Sequence, residues 1–490
     1  MTRLRAAASR SSLLALPASC ALLALCTPAL ADDPASLLRE IEALGERLAR
    51  VEADRGRESA ARRNAAAAAV EAGDKPRSWK LPGTNTSMSV GGLLKMSVLW
   101  DFSNARQASA STTSESFGAG GTPVVDGSAA DNAFNGGNFQ FTARRSRIWI
   151  QTWTPTEWGE FRTYVEADFV GMGATAGSST NLLRLRQAYG ALGPLLVGKT
   201  QTLYYGTIGL PERLEETGPI KPGEQRIEQI RYTQGLGGGF VLSVALEEAG
   251  NTSDAFGPGI NACARAGAVC TVLPAASFSA TGGFNGPQRW PNVTAALQWN
   301  FPGGALYASG MIGQLTIDSG GVSQTSAHAS ALRWGASLAG RYTIGVMEFG
   351  GQAGVGEGIG RKYFDQLVTG FRDAVLVVSG NAADLRPVLV YSATGYAQIK
   401  LTDTIRAMGA FSWGMNEVAS EVPGYSLPGS ASRATLTAVP NWYMAAYGNV
   451  LWNPVPQVTL GAEYSYQFAA RYNSADTTVH RLQFAAIYRF

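Results

Sequence analysis

Between residues 144 and 186 the chain carries six arginines: Arg144, Arg145, Arg147, Arg162, Arg184 and Arg186. A guanidinium is planar, stays charged at any physiological pH and grips a carboxylate through two parallel hydrogen bonds. Held on one surface, such a set attracts small anions and repels small cations. Lys95, Lys199 and Arg231 are candidates to extend it. This is the chemistry of recognition and passage, not of bond cleavage. The chain has two histidines, His328 in a long polar segment and His480 at the start of an alternating strand. Neither has a recognisable serine or aspartate partner, so no catalytic residue is assigned. No metal site or cofactor motif is read either, and a formal charge of +3 argues against nucleic acid as a partner.

What places the arginines is a two-residue period. Met88, Val90, Gly92, Leu94, Met96, Val98, Trp100 and Phe102 alternate with Ser87, Ser89, Lys95, Ser97 and Asp101. Fifteen residues of alternation exceed an ordinary soluble strand, whereas a tilted strand across a bilayer needs about 9–11. The pattern recurs at Phe161–Phe169, Phe240–Leu246, Val293–Trp299, Trp334–Tyr342, Val458–Tyr466 and Leu482–Phe490. One slip in parity is informative. Phe139, Phe141 and Ala143 are odd, while Ile148 and Ile150 are even, which predicts a one-residue bulge that turns Arg144 and Arg145 both inward. Arg147, Arg162, Arg184 and Arg186 then share that inner face on adjacent strands, which lie under about 5 Å apart.

Charged residues make up only 16% of the chain, with 58 glycines and 47 Trp, Tyr and Phe side chains. After the N-terminus no apolar run is long enough for a transmembrane helix. Glycine and aromatics without such runs fit a β-barrel with aromatic girdles. Seven short connections (Thr154–Trp158, Leu192–Pro194, Gln234–Gly239, Asn300–Gly304, Thr343–Gly345, Thr402–Thr404 and Asn453–Pro456) alternate with eight long polar segments. The fold class expected is all-β: a 16-stranded antiparallel transmembrane barrel over residues 87–490, short turns in the periplasm and long loops outside. A soluble sandwich or propeller would carry more charge on its exposed face. The terminal Phe490, closing an alternating strand, resembles the C-terminal signal of outer-membrane barrels.

Residues 1–31 read as a cleaved signal peptide, basic at Arg3, Arg5 and Arg10, apolar from Leu13 to Leu30 and ending Ala29-Leu30-Ala31. Residues 32–72 form a helical segment in which Leu37, Ile41, Leu44, Leu48 and Val51 are spaced as a heptad seam. The alternative is a solvated amphipathic helix, and the alanine-rich stretch from Arg62 to Val70 is expected to fray. Residues 73–86 are a linker. The mature chain keeps Cys263 and Cys270, which in an exported protein suggest one disulfide within a loop.

The segment Trp79-Lys80-Leu81-Pro82-Gly83-Thr84-Asn85-Thr86, followed by Ser-Met-Ser-Val-Gly-Gly, resembles the opening of the barrel in the DcaP-like porins. Further likenesses are Arg145-Ser146-Arg147, the Arg184–Tyr189 strand and Val197-Gly198-Lys199-Thr200, and together they span about residues 35–490. The resemblance implies an integral outer-membrane homotrimer, surrounded by lipid and lipopolysaccharide, with a periplasmic coiled coil and passive diffusion of small anionic solutes, carboxylates and dicarboxylates among them. It also implies that the third loop, about 202–224, folds inward as a constriction and sets Glu212, Arg213, Glu215 and Glu216 opposite the arginines. The competing arrangement is that the arginines pair with Glu166 and Asp168. A wall tether with little transport and an outer-membrane barrel enzyme such as a phospholipase are the rival functions. About forty residues before the barrel cannot make the plug of a gated transporter.

Overall fold

The computed structural model describes residues 34–67, 71–102, 138–171, 182–204, 206–215, 226–249, 260–266, 269–272, 289–318, 328–360, 363, 371–379, 382–424, 440–472 and 476–490. The signal peptide expected at 1–31 and Glu216 lie outside them. The chain divides into two units, Met1–Glu71 and Ala72–Phe490.

The first unit is a single helix, α1 (Pro34–Ala67). Leu44, Leu48 and Val51 of the seam are exposed along it. The side chains of Leu37 and Ile41 fall outside the described residues. The helix continues to Ala67, through alanines that favour it, and 68–70 of the stretch expected to fray lie outside the described residues.

The second unit is a closed barrel. Its strands are β1 (Ser87–Asp101), β2 (in two parts, Asn138–Thr142 and Arg147–Thr156), β3 (Gly159–Gly171), β4 (Leu182–Leu192), β5 (Leu195–Gln201), β6 (Arg226–Gly237), β7 (Phe240–Glu247) and β8 (Asn292–Phe301). The second half follows with β9 (Gly304–Asp318), β10 (His328–Ile344), β11 (Met347–Glu357), β12 (Leu389–Lys400), β13 (Ile405–Asn416), β14 (Pro440–Val455), β15 (Val458–Arg471) and β16 (Thr477–Arg489). Each strand pairs antiparallel with its sequence neighbour, and β1 pairs with β16, so no edge is left open. A buried bidentate pair spans that seam: Arg481 Nε and Nη2 donate to Asp101 at 2.6 and 3.1 Å.

All seven short turns fall where the connection rhythm put them. Between β6 and β7, Gly238 (φ 58°) and Gly239 (φ 85°) form a two-residue turn that needs left-handed backbone at both positions. The Leu-Pro-Gly-Thr segment is also a turn. Thr84 N donates to Leu81 O at 3.1 Å and Gly83 has φ 74°, as a turn with proline second and glycine third requires. It folds Trp79–Lys80 back onto Ser87 and Met88 of β1.

Parity sorts the side chains as the alternation requires. Leu94, Met96, Trp100, Ile148, Ile150, Val165, Leu242 and Phe484 are large, apolar and exposed on the outer face. Lys95, Ser97, Glu166, Asp168, Gln229 and Gln483 are buried on the inner one. An apolar exterior around a polar interior is stable only in lipid.

Loops differ most from the sequence reading. The long segments after β7 and β11, expected to be irregular, contain Ile260–Ala266, Val269–Val272, Ala374–Ser379 and Ala382–Pro387 as a separate four-stranded sheet. Val375, Leu376 and Val377 in the run Ala374–Ser379 are buried, and a short β-branched run of that kind favours a strand. Cys263 aligns with Val272 and Cys270 with Arg265, so the cysteines are diagonal neighbours on one hairpin. Their side chains lie outside the described residues.

Candidate pore lining and constriction

The predicted bulge in β2 is present. Ser97 pairs with Thr142 and Leu93 with Arg147, so four steps along β1 match five along β2. Arg145 is buried at this break, and Ser146 Oγ accepts from Lys95 N at 3.1 Å. Arg144 reaches the end of β3, donating to the carbonyls of Phe169 (3.3 Å) and Gly171 (3.1 Å).

A second bulge was not foreseen. Glu166 on β3 pairs with Gln187 and the next residue, Ala167, with Leu185, so Arg186 is the extra residue on β4. Arg186 and Gln187 therefore both turn inward. Two carboxylates organise this wall. Arg184 grips Asp168 through Nε (3.0 Å) and Nη2 (2.6 Å). Arg186 bridges Glu166 (2.6 Å) and Asp168 (2.6 Å), and Arg147 lies 3.8 Å from Glu166. Tyr164 and Gln187 also donate to Glu166. Arg162 is exposed below this network and sits over the Tyr189 ring, 5.7 Å from its centre. Arg231 on β6 donates to Gln229 and to the Gln201 carbonyl. The expected arginine wall is thus assembled, but it is an ion network and not a row of bare cations. Among the described residues, Arg147, Arg184 and Arg186 share Glu166 and Asp168, and Glu160 at the turn end is taken by Lys75 at 2.8 Å.

Lys199 is not part of this lining. It lies on the same face of β5 as Val197, beside outward Ile230, and pairs with Glu228 at 2.9 Å on the outer surface. Strand parity decides its side, and Glu228 offsets its charge there.

Opposite the arginines, the segment after β5 runs along the inner wall. Glu247 on β7 receives Thr202 Oγ1 (2.7 Å) and Leu203 N (2.8 Å). Tyr204 is fully buried, and its carbonyl accepts from Ser309 on β9 and Ser337 on β10. At Gly209 a Cβ would lie 2.0 Å from the Gly351 carbonyl oxygen, so only glycine lets the loop touch β11. Glu212 is clasped by Arg406 of β13 through Nε (2.6 Å) and Nη2 (2.5 Å). Arg213 stacks 4.8 Å from the centre of the Tyr447 ring and lies 3.9 Å from Glu215. Leu214 N and Glu215 N donate to Glu463 of β15. The described part of the loop, 202–204 and 206–215, therefore lies against β7, β9–β11 and β13–β15 and reaches β1 at Lys95.

Among the described residues of this loop the acids do not form an open face. Glu212 is paired with Arg406 and Glu215 is buried. Its anchors, Glu247, Arg406, Asn449 and Glu463, were not singled out in the sequence. The one signal for Glu463 was an acid on the inward parity of β15, beside Gly461, Ser465 and Gln467.

Residues 79–485 match the model of the porin subfamily. Among solved structures, the outer membrane channel DcaP of Acinetobacter baumannii is similar at TM-score 0.61 and 17% identity, covering 86% of this chain and all of that one. OmpT of Vibrio cholerae, as a loop-deletion mutant, aligns at TM-score 0.46 and 11% identity over 83% of this chain and 99% of that one. An anion-selective porin from Comamonas acidovorans aligns at 0.46 and 10% over 83% and 100%. A search of curated proteins found no match.

Proposed function

The chain belongs to the porin subfamily of outer-membrane channels, and on that premise we propose that it passes small hydrophilic solutes by diffusion and prefers anions, small dicarboxylates most. The observation that carries this reading is the gathering of Arg147, Arg184 and Arg186 around Glu166 and Asp168 on the inner wall, with Arg162 exposed beside them. A partly dehydrated lumen screens such charges less than bulk water does. Arg184 engages Asp168 through Nε and Nη2, which leaves Nη1 on a partly exposed side chain for a solute carboxylate. A dicarboxylate that meets two guanidinium groups of the wall at once gains two such contacts, and each contact must stay weak for flux to continue. The working form is a homotrimer in the outer membrane, its turn ends and α1 in the periplasm and Cys263 bonded to Cys270 outside. The zero-current potential of purified protein in a planar bilayer under a potassium chloride gradient tests the selectivity; preference for potassium over chloride rejects it.

A further inference from the structure

One peptide group in the inward loop is held from both sides by buried charges. Leu214 N donates to Glu463 Oε2 at 2.8 Å, and Glu215 N donates to Glu463 Oε1 at 2.9 Å. The Leu214 carbonyl accepts from Lys95 Nζ at 2.6 Å and from Gln483 Nε2 at 3.3 Å. Asn449 Nδ2 binds the outer side of the same carboxylate at 2.9 Å and the Glu212 carbonyl at 2.8 Å. Glu463 and Lys95 are each 2% exposed. Between them the Leu214 side chain, also 2% exposed, packs against Leu451, Ala485 and Ile487. It fills the space above Gly461, where a Cβ would lie 3.0 Å from both Leu214 methyl carbons.

From this arrangement we propose that Leu214 is the latch of the inward loop, and that Glu463 is the positioning residue that keeps it closed. The proposal rests on the channel reading above only for its effect on current. A carboxylate can accept two adjacent backbone N–H groups, which point the same way and cannot satisfy one another. A glutamine of the same shape offers one accepting oxygen and turns an NH2 toward the second donor. Glu463→Gln therefore leaves one loop N–H facing a donor in a buried site. Losing one charge-assisted hydrogen bond shifts a local equilibrium roughly ten- to hundredfold. The first anchor, Glu247 at Thr202 and Leu203, is untouched, so the loop is expected to stay fixed at its start while Leu214 and Glu215 leave the wall.

Two measurements on the purified mature protein test this, with Cys263 and Cys270 replaced by serine. In the first, Leu214→Cys reports the latch by maleimide alkylation. The buried thiol is expected to react roughly ten to a hundred times faster when Glu463→Gln is also present. Equal rates in the two backgrounds overturn the proposal, whatever the protein conducts. In the second, Glu463→Gln in a planar bilayer is expected to add frequent excursions to a second conductance level. Leu214→Cys with Gly461→Cys, oxidised in that same background, removes them, and reduction brings them back. Excursions that persist with the crosslink verified by mass refute the latch. A folded protein that carries no current, yet shows the alkylation difference, rejects the channel reading and leaves the latch standing.

Discussion

Replacing Arg147 and Arg184 together by serine is the sharpest test of the arginine wall. These two are chosen over Arg186 because Arg186 is almost fully buried and bridges both acids, so its loss would remove the charge that joins two buried carboxylates. With Arg186 in place, Glu166 and Asp168 keep a partner, and the wall loses two positive charges. A unit charge roughly 7 Å from a passing ion contributes about 0.6 kcal/mol in water, and screening at 0.1 M salt about halves that. Two charges then change the energy of an anion by about 0.6 kcal/mol and that of a cation by as much in the opposite sense. The difference of about 1.2 kcal/mol lowers the chloride-to-potassium permeability ratio by nearly tenfold. The assay is the zero-current potential in a salt gradient, with dicarboxylate uptake into liposomes beside it. A double variant that folds and keeps the ratio of the unaltered channel shows that the network is electrically silent. The selectivity would then have to come from elsewhere in the lumen.

Asp101→Asn breaks the buried pair across the β1–β16 seam and is expected to cost about 3–5 kcal/mol, seen as a lower temperature for loss of the compact barrel band on gels; an unchanged temperature refutes that role. A cysteine at Pro456, in the turn between β14 and β15, is expected to resist an impermeant thiol reagent in intact cells and to react after lysis. Deleting residues 32–72 is expected to leave trimers intact, because the seam of α1 spans about two heptads and so short a coil is marginal alone; a monomeric product would make the helix essential to assembly. Exported, denatured protein is expected to show no free thiol until reduced, from a bond between Cys263 and Cys270.

How much of this was legible in the residues follows from the range of the interaction. Alternation and turn chemistry are local, so the sixteen strands and seven turns could be read directly. The bulge at Ala143–Ser146 was visible because apolar residues on both sides of it changed parity. The bulge at Arg186 was hidden: Leu182, Leu183 and Leu185 supply apolar side chains on both parities, so no slip shows. Lys199 was misassigned because its charge was weighed above the parity it shares with Leu195 and Val197. The path of the inward loop was out of reach. Glu463 meets Leu214 from 249 positions away, and nothing local to either residue names the other.

The two carboxylates in the wall explain how so many cations can share it. Strands lie under about 5 Å apart, and like charges directly opposite one another destabilise a sheet. Asp168 stands across from Arg147 on one side and Arg184 on the other, and Glu166 occupies the neighbouring inward site. Each acid thus separates arginines on the flanking strands. Each also fixes guanidinium geometry: Arg184 is bound through Nε and Nη2, and Arg186 through Nε and Nη1. A fork held along one edge loses less freedom when its other edge meets a solute. Neutralising the acids, as in Glu166→Gln with Asp168→Asn, would make the wall more positive and yet loosen the forks. If fixed forks matter for recognition, that variant gains anion preference in simple salt while losing its advantage for dicarboxylates over monocarboxylates. A gain in both would mean that net charge alone governs passage.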